Sequence, residues 1–148
     1  MHNGIKPHQE YVDANNISSL AGMHFVFVAI DAAPSKEIIV NFLEEQQIPF
    51  VDVGMGLEEI EGQIIGQLRV TANTPRKRDH FRHRASMARH GDNIYDRNIQ
   101  IADLNALNAA FAVIKWKKLM GFYQDREQEH DSVYAVNINE LYNNDSTT

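Results

Sequence analysis

The stretch Phe25–Gly56, FVFVAIDAAPSKEIIVNFLEEQQIPFVDVGMG, decides the fold. Phe25–Ile30 is a continuous apolar run, the pattern of a parallel strand buried on both faces. Asp31 ends it, and Ala32-Ala33-Pro34-Ser35 turns the chain into a helix whose first residues suit Pro34. That helix is expected to reach about Gln47 and to bury Ile38, Ile39, Phe42 and Leu43. Pro49–Val53 then returns as a second strand, expected to stop at Gly54-Met55-Gly56. In open α/β sheets, ligands bind beyond the carboxyl ends of the strands. Asp31 stands at that position.

Outward from this unit the chain reads as one domain, residues 1–148, of class α/β. Residues 1–24 form an entry segment with an edge strand expected near Glu10–Asp13 and a short helix around Ile17–Leu20 closed by Gly22. Gly66–Ala72 alternates as a half-exposed strand. Residues 74–98 form a basic connection, partly helical through Phe81–Ala88. The longest helix is expected from about Ile99 to Met120, with Leu104, Leu107, Phe111 and Ile114 on one face. Alanines, Val113 and Trp116 widen its apolar stripe, and Gly121 suits the residue past its end. Val133–Ile138 reads as a last strand before a polar, frayed tail.

Composition narrows the chemistry. The absence of cysteine excludes disulfides, thiolate zinc sites and thioester formation on this chain. No apolar run approaches the ~20 residues that span a bilayer, and a cytoplasmic location without membrane contact is the default. The net charge of −6 is divided: Thr74–His90 carries six Lys/Arg against Asp79, so the remainder is strongly acidic. Such an acidic body argues against a protein that coats nucleic acid. The basic window reads as a solvated connection, a contact for an acidic partner or triphosphate, or a nucleic-acid patch. His80-x-x-His83, with His90 nearby, has a zinc-like spacing inside an arginine-rich run that would repel a cation. Asp31 reads as a turn or N-cap residue, or as a ligand for a metal or a substrate ammonium group.

The order of strand, Asp31, Lys36, Ile48-Pro49-Phe50-Val51 and a glycine-bearing Gly54–Gly66 passage resembles the ThiF/MoeB-type adenylyltransferase domain. That nucleotide-binding fold is shared with ubiquitin-activating enzymes. Asp52–Gly56 (DVGMG) and Asn98–Ala110 (NIQIADLNALNAA) resemble a bacterial subgroup of the family, and the likeness covers nearly the whole chain. The resemblance implies the C-terminal portion of a Rossmann-like domain, with a partly parallel sheet flanked by helices. It implies ATP and magnesium as cofactors, with Asp31 as catalytic and cofactor-binding residue through the Mg²⁺ of ATP. A single carboxylate suits Mg²⁺, which keeps most of its waters. The substrate implied is the C-terminal carboxylate of a ubiquitin-like or sulfur-carrier protein, with Gly54, Gly56 and Arg69 as contacts for its tail. A homodimer is implied as well.

Two departures accompany the likeness. Ala32 stands where the family has Asn after the aspartate. The family's glycine-rich loop, ribose acid, phosphate arginine and ATP lysine belong before Met1, so the chain is expected to be part of a longer enzyme and inactive alone. The alternative is a non-catalytic interaction or dimerisation module built on Ile99–Met120.

Overall fold

The computed structural model describes residues 4–87 and 101–147. Among these residues five strands form one mixed sheet in sequential order: β1 (Val26–Val28), β2 (Phe50–Ile60), β3 (Gln63–Asn73), β4 (Asp131–Ala135) and β5 (Glu140–Asn144). Only β1 and β2 are parallel, and the remaining pairs are antiparallel. The β1–β2 connection is the helix α1 (Pro34–Glu45), as a parallel pair requires. The short helix α2 (Phe81–Arg84) and the long helix α3 (Ala102–Leu119) lie between β3 and β4. The fold is therefore α/β, with a partly parallel sheet between helices.

Side chains alternate across a strand, and here the alternation builds two cores. On one face Val28, Phe50 and α1 residues Ile39, Val40 and Leu43 close over Phe81 of α2. The Phe50 and Phe81 rings meet edge to face at 5.0 Å. On the other face Val51, Val70 and Ala72 pack against Ala112 of α3, with Phe111 and Leu119 at the margin. A 3-10 turn at Ile17–Leu20 covers the α1 side.

Several expectations are corrected. β1 is only three residues long and lies at the sheet edge, so Phe27 stays 45% exposed and Ile30 40%; an edge strand lacks the second neighbour that would cover it. On α1, Ile38 and Phe42 are only half-buried, and Lys36 and Val40 complete the buried stripe instead. No strand forms at 10–13. β2 does not stop at Gly54-Met55-Gly56 but continues to Ile60, because β3 pairs with it along its whole length. Glu61 and Gly62, both at positive φ, make the tight two-residue turn whose twist suits such a hairpin. The polar tail forms β5, paired with β4 through Ala135↔Glu140 to Asp131↔Asn144. In α3 the buried stripe is Asn108, Ala112 and Lys115, while Val113 and Ile114 are exposed at 41% and 43%. The ends 99–100 of the expected helix, with Arg89 and His90, lie outside the described residues. No helix among the described residues is long and apolar enough to cross a membrane.

Candidate functional site

A cleft opens where β1 ends. The last β1–β2 pair is Val28↔Asp52, after which the chain leaves the sheet and reaches α1 at Pro34. Among the described residues, no strand pairs with β2 on that side beyond Asp52. The result is a cleft of about 1030 Å³, walled by the exposed Asp31 and by Lys36, Gly54, Gly56, Arg69 and Asn108. All four residues singled out in the sequence (Asp31, Gly54, Gly56 and Arg69) thus reach one cavity. Ala32 lines it too, and the first turn of α1 stands over it.

The floor is a buried ionic chain that the sequence did not reveal. Lys36 comes from the first turn of α1, with its ammonium almost fully buried 2.6 Å from Asp52 Oδ1. Arg69 Nη2 lies 2.6 Å from Asp52 Oδ2 and Nη1 donates to the Thr71 hydroxyl. Thr71 donates onward to Asp131 Oδ1 at 2.7 Å, and Asn144 Nδ2 donates to Asp131 Oδ2 at 3.1 Å. The chain runs from α1 across β2, β3, β4 and β5. Burying an isolated carboxylate would cost several kcal/mol, so Asp52 is tenable only because two cations flank it. The signal for it was present: Lys36 occupies the helical stripe of Ile39, Val40 and Leu43, and Asp52 interrupts an apolar strand.

The glycines serve different ends. At Gly54 a Cβ would lie 2.5 Å from the Arg69 guanidinium, so the missing side chain lets Arg69 fold across the strand onto Asp52. Gly56 is different: no atom of the described residues outside its chain neighbours lies within 4 Å of where its Cβ would be. The space above Gly56 belongs to the cleft. Asn108 reaches in from α3, its Nδ2 donating to the Gly54 carbonyl at 3.1 Å. The residue is only 5% exposed, and its Oδ1 has no hydrogen-bond partner among the described residues.

The basic segment turns inward upon its own chain. Arg82 pairs with Glu44 at 2.9 Å and donates to Asn41, and Arg78 donates to the Glu44 carbonyl. Arg84 pairs with Asp145 at 2.7 Å, and Lys77 with Asp79. Partial burial raises the pKa of Glu44, but the hydrogen bonds of Arg82 and Asn73 and the nearby guanidinium charges outweigh it and hold it below 4.5. His80 Nε2 is engaged with the Ala72 carbonyl at 2.9 Å, while His83 is exposed on α2. No cluster of three or more His, Cys, Asp or Glu among the described residues is arranged to hold a metal.

A second cleft, about 890 Å³, lies around His130, Lys118 and Asp125. Lys115 and Lys118 bind Asp125 and Glu129 there, tying the end of α3 to the segment before β4. His130 Nδ1 donates to the Gln128 carbonyl, and its ring stands 5.7 Å from His80.

No protein-family model and no curated protein matches the chain. Among solved structures it is similar to the crystal structure of selenomethionine PaaA, with a TM-score of 0.52 and 14% identity. The match covers 90% of this chain and 46% of that one, so this chain spans less than half the length of that neighbour. At this identity the likeness is one of fold.

Proposed function

We propose that the cleft beyond β1 receives the C-terminal tail of a ubiquitin-like or sulfur-carrier protein and presents its carboxylate for adenylation by ATP, as one part of a longer enzyme. One observation carries this reading. Asp31, Gly54, Gly56 and Arg69, identified through a family resemblance and drawn from a loop and two strands, line a single cleft above the buried Lys36. Asp31, exposed at the rim, is the magnesium ligand for the nucleotide; the bound ion neutralises phosphate charge. Lys36 and Arg69 bring two cations to a floor that also holds the carboxylates of Asp52 and Asp131; Arg69, the more exposed of the two, is the cation placed to meet an anionic tail end. Catalysis in this arrangement is mainly positioning and charge stabilisation. The described residues contain no G-x-G-x-x-G segment, so the phosphate cradle comes from the remainder of the enzyme.

The test is ATP–pyrophosphate exchange by the complete enzyme with a carrier ending in Gly-Gly. Exchange should require the free carboxylate and fall by at least a hundredfold in Asp31→Ala, with the fold retained. Exchange near wild type in Asp31→Ala at saturating magnesium would reduce Asp31 to a turn residue. The isolated chain should bind Mg–ATP weakly; low-micromolar binding by calorimetry would contradict this assignment of the nucleotide site.

A second reading rests on α3. Val113 and Ile114 leave an apolar strip on its outer side, which favours an interaction or homodimerisation face. The basic segment favours nucleic acid less, because Arg78, Arg82 and Arg84 are engaged by groups of the same chain.

A further inference from the structure

We propose that the second cleft, at the Pro49 end of β2, binds the phosphate or sulfate group of a small anionic ligand, and that His130 and Thr74 couple this binding to uptake of a proton. The site is separate from the cleft beyond β1, and the inference does not rest on the adenylation reading.

The wall brings together the ends of three elements. β2 begins after Pro49, β3 ends before Thr74, and Lys118 and Leu119 close α3. Most of the charges here are paired. Lys115 and Lys118 of α3 share Asp125 and Glu129 at 2.8–3.5 Å, two cations against two carboxylates. Lys77 is held by Asp79 at 2.8 Å. Arg76 also lines the cleft; it is exposed and has no ion pair among the described residues. The wall therefore carries a balance of one positive charge, one short of what a dianion needs.

His130 supplies the second. Its Nδ1 donates to the Gln128 carbonyl at 3.0 Å, so in the neutral ring Nε2 carries the lone pair. Nε2 stands 3.4 Å from the Thr74 hydroxyl, whose oxygen also accepts the Lys77 N–H at 3.2 Å. While the ring is neutral, the Thr74 proton is directed at Nε2. A protonated ring donates from both nitrogens. Thr74 then accepts at its oxygen and must turn its own hydrogen elsewhere. Thr74 and His130 both line the cleft, and the released hydroxyl hydrogen becomes a donor to a bound oxyanion. One proton thus adds a charge and a hydrogen-bond donor together. Burial, Lys115 and His80 oppose the charged ring, while the Gln128 carbonyl and Asp125 favour it. A bound anion offsets part of that opposition. Binding therefore tightens as the pH falls through the ring's titration, and by linkage the anion raises the ring's pKa. Pro49, Pro75, Leu119 and Met120 complete a cleft of about 890 Å³, far larger than a free oxyanion. An organic ester fills it better.

The experiment is NMR titration of the 148-residue chain with sulfate, whose charge is constant between about pH 5.5 and 7.5. Amide shifts at Thr74, Lys77 and His130 should saturate, with affinity at least fivefold tighter at the lower pH. The His130 ring should titrate at higher pH when sulfate is present. Potassium chloride at equal ionic strength should reproduce neither effect. Arg76→Ala, at an exposed position, should weaken binding at both pH values with the fold retained. His130→Gln should keep the neutral-pH affinity and lose the pH dependence. Phenyl sulfate separates the two sources of the group: tighter binding than sulfate upholds an organic ester, and weaker binding overturns the ester in favour of a free oxyanion. Shifts that do not saturate, shifts matched by chloride, or a ring titration indifferent to sulfate overturn the proposal.

Discussion

Asp52 is the residue on which the site's electrostatics turn. It is fully buried and shared by Lys36 and Arg69 at 2.6 Å each. Asp52→Asn leaves two cations facing one another without a counter-charge, and should cost roughly 3–5 kcal/mol, the range for breaking a buried ion pair. Lys36→Met should cost less, because Arg69 still neutralises the carboxylate and the methionine stem fills the lysine's place. Urea denaturation of the two variants checks the order, and equal losses would contradict it. At this scale the sequence was only partly legible. Asp31 could be placed because an apolar run ends there, although β1 itself stops at Val28, and Arg69 and the glycines through a resemblance. The Lys36–Asp52 pair escaped because each residue alone looks like a solvated charge. Only the joint burial of the helix stripe and the strand interior brings the two together. Asn108 reads from its place on a long helix as an asparagine that fixes packing, and its bond to the Gly54 carbonyl ties α3 to β2.

Among the elements, the β2–β3 hairpin carries most of the sheet, and Gly66 is its tightest point. A Cβ there would run into the Gly56 carbonyl and Leu57, and φ is +155°. Gly66→Ala should therefore destabilise by ~2 kcal/mol or more, whereas Gly56→Ala should leave stability nearly unchanged; thermal unfolding of both separates the steric argument from a general glycine effect. The β4 junction has a pH signature. Burial, with Lys115 and His80 facing it, holds His130 below 6.5 against the pull of the Gln128 carbonyl and Asp125. The folded state thus favours the neutral ring, while the unfolded chain takes up a proton first. Stability is full above about pH 6.5 and declines as the pH falls from there toward the folded value. The urea midpoint should drop over that interval in the wild type and change less in His130→Gln. An equal slope in both would assign the loss to other groups. The boundaries of α1 were legible from Pro34 and helical spacing, whereas glycines at 54 and 56 resembled a strand end. Pairing with β3 overrides that local signal, as cross-strand contacts commonly do. β5 was missed because its face is polar and its pairing partner is set by the preceding turn.

For the molecule as a whole, the α3 face and the cleft make separate demands. Of the large apolar residues on α3, Phe111 packs near Tyr134 at 6.1 Å and Trp116 near Phe25 and Phe27. The exposed positions are Val113 and Ile114. If α3 holds a homodimer, Val113→Glu with Ile114→Glu should shift sedimentation toward monomer without loss of helix content, whereas Trp116→Glu should unfold the β1 edge. A dimer unchanged by the double substitution would exclude this face. The central claim is that the cleft serves carboxylate adenylation, and oxygen transfer tests it most directly. In that reaction a carboxylate oxygen bonds to the α-phosphorus of ATP and pyrophosphate leaves. Later attack at the carbonyl carbon leaves that oxygen on AMP. The complete enzyme, given ATP and a Gly-Gly-ending carrier labelled with ¹⁸O at its terminal carboxylate, should release AMP carrying one ¹⁸O by mass spectrometry. Unlabelled AMP, or ADP with phosphate in place of AMP with pyrophosphate, would contradict the account.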